Sequence, residues 1–309
     1  MVSAIREVES NLKRASRLVE EAARGGATLV LLPELFSAGY CLCERAWDFA
    51  EPEGGRTETW LSDTASRLGV YVGGCYLLAS GEDFYIVFAL ATPAGTVAGR
   101  VPKQKPASFE AYLLRGQVSR HIIETPLGRI GVGICYENAF RFLAEAVIAG
   151  GADIMLMPFA APTPRETWYF PRKSVNAYLA SYRHGASKYA RLLGIPAIQV
   201  NQCGDWHSDL PSFFPSQHSK FHGQSEIADN TGAVLAQLAD QESVIVGDVT
   251  LDPARKIRKL PDEVSRLREW ISPLPSYFKI FSIIEALGRR WYARSARRRE
   301  KAKAVSGGQ

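Results

Sequence analysis

Three potentially reactive side chains each follow or end an apolar, strand-like run of the sequence. Glu34 follows LVLLP, Lys103 follows TVAGRVP, and Cys135 lies in GVGICYE. Functional groups of α/β sheets are presented at the carboxyl ends of strands, so these three side chains can meet. A thiol is mostly protonated at neutral pH, so Cys135 would need a carboxylate to accept its proton or an ammonium to favour the thiolate. Such a set could attack an electrophilic carbon and form a covalent intermediate.

The other chemically suggestive residues form no recognisable site. Five histidines never fall at metal-ligand spacing; His218 and His222 are four residues apart but lie beside a glycine rather than on a convincing helix. Five cysteines are scattered and contain no CxxC pair. GxSxG, Walker and GxGxxG motifs are absent from the sequence. We therefore predict no metal site and no cofactor.

Composition and charge narrow the class of protein. The 309 residues are 46% apolar and 22% charged, a globular balance that excludes disordered, collagen-like and disulfide-scaffold proteins. No run reaches the roughly 18 apolar residues of a membrane-spanning helix and no signal peptide begins the sequence, so we predict a cytoplasmic protein. The formal charge is +5, but residues 289–303 hold eight basic residues and one acidic residue, which leaves the rest nearly neutral. This distribution argues against binding to nucleic acid.

Apolar periodicity predicts alternating helices and strands, which is typical of α/β folds. The predicted helices lie at 11–23, 57–68, 139–150 and 169–192, and the predicted strands lie at 28–32, 70–78, 84–93, 129–137, 153–158 and in SEIAD, AVLAQ and SVIVGDVT. No linker divides residues 1–255, which we interpret as one domain. Residues 256–309 are predicted to form a C-terminal appendage with a basic helix and a disordered end.

Singly, the three reactive residues have ordinary explanations as a packed thiol, a capping carboxylate and a solvated lysine. Their flanking segments LPELFSAGY (32–40), KQKPASFE (103–110) and GICYENAF (133–140) together resemble the signature segments of the nitrilase superfamily of carbon–nitrogen hydrolases. ADIMLMP, IPAIQVNQCG and FHGQSEIADNTGAVLAQ are similar to later family segments, so the resemblance covers about residues 11–252. It implies an α/β fold, a four-layer α-β-β-α sandwich, that associates as a homo-oligomer, a dimer or larger.

The resemblance also implies a role for each site residue. Glu34 would be the general base, Lys103 the positively charged stabiliser and Cys135 the nucleophile. On an amide, Lys103 and the backbone N–H of Tyr136 would stabilise the oxyanion. Glu110 matches a second glutamate that holds the lysine and helps to orient substrate in many members; its alternative is a structural salt bridge.

Residues after the nucleophile bear on the substrate. Residues 136–138 are Tyr-Glu-Asn, which is neither the Trp-Glu pair of many nitrilases nor the Tyr-Asp pair of several amidases. The Tyr-Glu pair also resembles the corresponding segment of lipoprotein N-acyltransferases, but those proteins carry several membrane spans, which we do not find in this sequence. Amide hydrolysis is favoured over nitrile hydrolysis. Some aromatic residues lie in or near segments that line the substrate pocket in members of the family, so they indicate either a substrate with an apolar acyl group or plain core packing. They are Tyr40, Phe159, Trp168 and Tyr169.

The sequence departs from the family pattern at its start. Members usually open with a short apolar strand and a glutamine, whereas this chain begins with MVSAIREVESNL, where that strand should have ended. We expect the first strand to be missing or reduced to residues 2–6. The open functions are hydrolysis of a small carboxamide or carbamoyl compound, hydrolysis of a nitrile, and a catalytically silent or partner-dependent homologue that acts as a binding subunit.

The apolar beginning of the C-terminal helix needs a surface to cover it. Its apolar residues are Phe278, Ile280, Phe281, Ile283, Ile284 and Leu287. We expect this helix to contact a neighbouring subunit. Contact of the basic helix with an anionic membrane surface is the less favoured alternative.

Overall fold

Two β-sheets face each other in the computed structural model, which describes residues 1–168, 170–211, 214–267, 269–271 and 278–307. The first sheet has the order β1 (Leu29–Leu31), β2 (Tyr71–Ser80), β3 (Asp83–Ala91), β4 (Val97–Pro102). The second contains β5 (Ile122–Thr125), β6 (Gly128–Val132), β7 (Ile154–Phe159), β8 (Ala197–Asn201), β11 (Glu226–Ala228) and β12 (Val234–Gln237), in the order β12-β11-β8-β7-β6-β5. A separate hairpin joins β9 (Cys203–Ser208) and β10 (Gln217–His222).

Helices cover the outer faces of both sheets: α1 (Val8–Arg24) and α2 (Arg56–Leu68) pack on the first, and α3 (Arg141–Ala149) and α5 (Gly185–Leu193) pack on the second. The other helices of the described residues are α4 (Arg172–Tyr182), α6 (Asp262–Ser265), α7 (Phe278–Arg294) and α8 (Ala296–Ser306). In the described part of the chain, short 3-10 helices lie at Glu44–Phe49, Ser108–Tyr112 and Cys135–Ala139. We call the second of these the Glu110 turn and the third the Cys135 turn, after the residues that they carry.

Side-chain alternation explains why the first sheet is covered on both faces. In β3, Phe84, Ile86 and Phe88 belong to the core that includes residues of the second sheet, whereas Val87 and Ala89 pack with α1 and α2. Successive strand residues point to opposite faces, so a run that is apolar at every position needs two apolar neighbours. The predicted hairpin of β2 and β3 is confirmed by their antiparallel pairing.

The second sheet is parallel at its centre, where β6 pairs with β7 and β7 with β8. The connection from β6 to β7 contains α3, and the connection from β7 to β8 contains α4 and α5. The residues of α3 and α5 that face this sheet, Leu143, Val147, Tyr189 and Leu193 among them, are buried in the core. The structure confirms the predicted α-β-β-α sandwich.

Some element predictions were wrong in detail. The helix predicted at 169–192 is divided into α4 and α5, because His184 between them has a left-handed backbone with φ of 57°. SVIVGDVT at 243–250 contains no strand, since no neighbouring strand pairs with it in the described residues. Residues 2–6, which the sequence offers as a remnant of a first strand, form no strand, and a missing first strand stays a prediction. The Met1 carbonyl accepts a hydrogen bond from the Cys203 N–H at 3.1 Å.

The C-terminal helices pack on the same chain. Tyr292 of α7 accepts a hydrogen bond from the backbone N–H of Phe84 in β3 at 2.9 Å. On α8, Arg298 forms an ion pair with Asp83 and donates to the carbonyl of Glu82. Helix α8 continues to Ser306, into the segment AVSGGQ (304–309) that the sequence predicts to be disordered. The division of the chain at residue 256 stays a prediction, and the side chain of Phe278 lies outside the described residues.

No helix in the described ranges is both long enough and apolar enough to cross a membrane.

We predict that Arg298→Ala lowers the free energy of unfolding by about 2 kcal/mol, because Asp83 loses a buried ionic partner. Arg297→Ala is the matched control: the Arg297 side chain is 79% exposed, against 6% for Arg298, and the change should be within about 0.5 kcal/mol. Urea unfolding measures both. Equal, small effects would mean that α8 is not anchored to the first sheet.

Candidate active site

Lys103 lies between two carboxylates at the end of β4. Its Nζ is 2.6 Å from Oε1 of Glu34 and 2.8 Å from Oε2 of Glu110, and the three side chains are at most 1% exposed. Glu34 lies just after β1, and Glu110 lies in the Glu110 turn. A buried charge is tolerated only when it is paired and hydrogen-bonded. This cluster of one ammonium and two carboxylates therefore depends on all three members.

Cys135 begins the 3-10 helix that follows β6 and shares the enclosure. Its thiol lies close enough to the Glu34 carboxylate and to the backbone N–H of Ala160 for each of these groups to affect the proton balance of the site. Cys135 has a φ of 54°, a left-handed conformation that is costly for a residue with a side chain and that recurs at functional sites. The structure thus brings Glu34, Lys103, Glu110 and Cys135 together.

Burial and charge set the protonation of the cluster. Burial raises the pKa of Glu34 to about 7, with the Glu110 carboxylate adding to the rise and Lys103 opposing it. Burial alone would lower the pKa of Lys103, but the two carboxylates hold it well above its ordinary value. Burial and the Glu34 charge raise the pKa of the Cys135 thiol, against the effect of Lys103. The resting site therefore holds a charged lysine and a protonated thiol, so thiol attack requires Glu34 to accept a proton.

Two of the predicted aromatic residues contact the glutamates of the cluster, Tyr40 through its side chain and Phe159 through its backbone. The Tyr40 hydroxyl donates a hydrogen bond to Oε1 of Glu110 at 2.8 Å. The carbonyl of Phe159, at the end of β7, accepts a hydrogen bond from the Glu34 N–H at 3.3 Å. Both side chains are buried. They hold the two glutamates in place, besides any contact with substrate.

The structure does not bring Trp168 to the site. Its side chain is 92% exposed. Thr167 and Phe170 exchange backbone hydrogen bonds, and the Phe170 side chain is buried. Trp168, between these two residues in the sequence, keeps its side chain on the surface. Tyr169 lies outside the described residues.

Tyr136 follows the thiol in the Cys135 turn, and its ring packs away from the charged cluster. The ring centroid lies 4.9 Å from that of Phe140 and 5.9 Å from that of Phe281 in α7. The residue is buried. This aromatic packing fixes the backbone next to Cys135, where the predicted oxyanion donor lies.

Comparison with known proteins agrees with this geometry. The family model described as carbon–nitrogen hydrolase matches residues 4–259. The chain belongs to the carbon–nitrogen hydrolase family. Among curated relatives, N-carbamoylputrescine amidase of Arabidopsis thaliana is 27% identical over 82% of this chain and 85% of that protein. Omega-amidase NIT2 of Xenopus tropicalis is 27% identical over 81% of this chain and 86% of that protein.

Solved structures show the same fold. The crystal structure of a carbon–nitrogen hydrolase from Helicobacter pylori G27 has a TM-score of 0.72 with this chain, at 19% sequence identity. The match covers 86% of this chain and 91% of the other. The predicted membership of the nitrilase superfamily and its sandwich fold are confirmed.

Sequence reasoning missed several residues that hold the cluster of this hydrolase. Glu137, directly after Tyr136, is fully buried and accepts hydrogen bonds from the backbone N–H groups of Gln104 at 2.5 Å, Lys105 at 3.2 Å and Ile134 at 3.1 Å. It thereby joins the loop after Lys103 to the Cys135 turn. The position of Glu137 in the segment GICYENAF, two residues after Cys135, is the sequence signal that could have identified it.

Two amide side chains support the backbone of the site. Nδ2 of Asn138 donates to the Cys135 carbonyl at 2.9 Å. Nε2 of Gln202, just after β8, donates to the Glu34 carbonyl at 2.7 Å. No pattern in the sequence connects Gln202 with Glu34, because the two residues meet only when the sheets face each other. Within the described residues, no group of three or more His, Cys, Asp or Glu side chains could hold a metal ion.

We predict that alkylation of Cys135 in this hydrolase rises roughly tenfold from pH 6 to pH 8 and then levels off, since the raised pKa of Glu34, about 7, must be exceeded before the carboxylate accepts the thiol proton. In Glu34→Gln the rate should be low and should keep rising with pH. Peptide-resolved mass spectrometry is needed, because a hydrogen bond from Cys41 lowers the pKa of Cys43 to about 6. If the alkylation rate of wild-type Cys135 keeps rising above pH 8, the assignment of Glu34 as the general base is contradicted.

Proposed function

We propose that this hydrolase cleaves a small carboxamide or carbamoyl compound, releases ammonia and forms an acyl-enzyme on Cys135. The observation that carries the proposal is the buried contact of Lys103 with Glu34 and Glu110 beside the Cys135 thiol. These are the nucleophile, the base and the cation that amide hydrolysis requires. The names of the two curated relatives, both amidases, support the same reaction.

The first half-reaction forms a thioester. Glu34 accepts the proton of the Cys135 thiol as sulfur attacks the carbonyl carbon. Negative charge then develops on the carbonyl oxygen, and Lys103 with the backbone N–H of Tyr136 stabilises it. The carbon–nitrogen bond breaks as Glu34 gives its proton to the departing nitrogen, which leaves as ammonia.

The second half-reaction regenerates the thiol. Glu34 is again a carboxylate after ammonia has left, and it accepts a proton from a water molecule that attacks the thioester carbon. The carbon–sulfur bond breaks, the acid departs and the proton returns to the Cys135 sulfur. A pKa of Glu34 near 7 suits both steps, because a group of that pKa accepts and donates protons readily at neutral pH.

Glu110 positions the lysine. Its carboxylate contacts Nζ of Lys103 through both oxygens, at 3.0 and 2.8 Å, and also accepts hydrogen bonds from the Tyr40 hydroxyl and the Ala107 N–H. These four contacts fix the ammonium close to the thiol. We assign substrate contact to Tyr40, whose hydroxyl contacts Glu110, and to Phe159, whose carbonyl contacts the Glu34 N–H. Their buried aromatic rings favour a substrate with an apolar acyl part.

We predict that the wild-type protein releases ammonia from at least one compound in a panel of carboxamides, carbamoyl compounds and nitriles. Cys135→Ala should reduce the rate at least about 1,000-fold, and Glu110→Gln about 10- to 100-fold. Cys43→Ala is the matched control, since it removes another reactive thiol and should leave turnover unchanged.

Two outcomes would contradict the proposal. Ammonia release that survives Cys135→Ala would exclude a covalent mechanism at this residue. A folded protein that releases no ammonia from any member of the panel and whose Cys135 is no more reactive than the buried Cys75 would indicate a silent binding subunit. Faster turnover of nitriles than of amides would favour nitrile hydrolysis.

We further propose that the enzyme is a cytoplasmic homo-oligomer. Ile283, Leu287 and Trp291 are exposed and spaced four residues apart on α7, so they form an apolar stripe that a second copy could cover. The five cysteines are free, which suits a reducing compartment. Sedimentation velocity should give a mass of at least twice the 34.0 kDa chain; the mass of one chain would contradict this proposal.

A further inference from the structure

The segment that follows the family match contacts both turns of the candidate site. Beside the Cys135 turn, the N–H of Ile271 donates to the Ala139 carbonyl at 3.1 Å, and the N–H of Arg141 donates to the Glu269 carbonyl at 2.8 Å. The match to the family model ends at residue 259. Backbone bonds from outside the matched region therefore hold the turn that carries the thiol.

The Glu110 turn is covered by α7 at very short range. A Cβ at Gly288 would lie 2.8 Å from the carbonyl carbon of Ala111 and 2.9 Å from the backbone nitrogen of Tyr112. Contacts below 3.0 Å are essentially never seen for a real Cβ, so only glycine permits this approach. The backbone of α7 thus lies directly on the turn that carries Glu110.

Glu285 lies one turn before Gly288 and points its carboxylate at the same 3-10 helix. It is buried, and its Oε1 accepts a hydrogen bond from the backbone N–H of Ser108 at 3.3 Å. Arg289 and Lys105 are the charged groups near it, and Tyr136 also faces it. A carboxylate buried on a helix is costly unless its hydrogen bonds are used, and the Ser108 N–H uses one of them.

Ser108 is the residue in the turn that most needs such support. It is the first residue of the Glu110 turn, and its φ is 47°, a left-handed conformation that costs free energy for any residue other than glycine. The neighbouring N–H, of Ala107, is bonded to the carboxylate of Glu110 itself at 2.8 Å. Two carboxylates therefore hold two successive N–H groups, one from within the turn and one from α7.

We propose that Glu285 is a positioning residue for the reaction: it keeps Ser108 in its left-handed conformation and thereby keeps the Glu110 carboxylate against Lys103. The inference rests on the proposed function for its catalytic consequence. Under this proposal α7 helps to position the active site, although α7 lies beyond residue 259, where the family match ends. Without the bond, the turn relaxes, Glu110 leaves its bidentate contact and Lys103 is no longer fixed beside the thiol.

The test compares Glu285→Ala with Glu285→Gln. The glutamine oxygen can still accept from the Ser108 N–H, whereas alanine cannot. We expect Glu285→Ala to lower kcat at least tenfold with KM within twofold, and Glu285→Gln to stay within threefold of the wild-type kcat. Arg290→Ala, an exposed change on the same helix, is the control and should leave both constants unchanged. Glu285→Leu, which keeps the volume but accepts no hydrogen bond, replaces the alanine variant if that variant does not fold.

A second readout needs no substrate. Hydrogen exchange of the peptide that covers 107–113 should be faster in Glu285→Ala than in the wild type and nearly restored in Glu285→Gln. If the wild type cleaves no amide, the proposed function fails while this exchange measurement still tests Glu285. Equal exchange in all variants, or a kcat of Glu285→Ala within twofold of the wild type, would overturn the inference, as would equal losses of kcat in the alanine and glutamine variants.

Discussion

The ammonium of Lys103 is the interaction on which the site depends. It is buried between the carboxylates of Glu34 and Glu110, so the loss of either partner would leave a buried charge incompletely paired. Because one positive charge faces two acidic groups, the cluster keeps a proton, and burial raises the pKa of Glu34 to about 7. Burial, together with the charge of Glu34, also raises the pKa of the Cys135 thiol and keeps it protonated at rest. A base and a protonated nucleophile therefore meet in one enclosure.

The fold creates this enclosure by bringing strand ends together. Glu34 and Lys103 come from the first sheet, and Cys135 comes from the second. Contacts between the sheets hold them in register, through the Gln202 amide on the Glu34 carbonyl and the Glu137 carboxylate on the loop after Lys103. The hydrophobic core supplies the free energy that pays for these buried charges. Stability and chemistry thus depend on the same packing of sheet against sheet.

The sequence predicted those site residues that lie at strand ends or within a short recognisable motif. Glu34, Lys103 and Cys135 each follow an apolar run, and Glu110 lies in the same motif as Lys103, so their convergence could be expected. Glu285 could not be found in this way, because only tertiary packing brings α7 onto Ser108. Trp168 was misplaced since an aromatic residue in a loop segment gives no sign of whether its side chain is buried or exposed. The break at His184 was also hidden, because helical periodicity continues across it.

The central claim is that Cys135 forms a covalent acyl-enzyme with the help of Glu34. The most direct measurement is intact-protein and peptide mass spectrometry after the enzyme is mixed with its best amide substrate and quenched in acid within a turnover. The account predicts a mass increase equal to the acyl group minus one hydrogen, located on the peptide that contains residues 133–140, and its disappearance when substrate is removed. Ammonia release without any adduct on that peptide, or an adduct confined to another cysteine, would contradict the account.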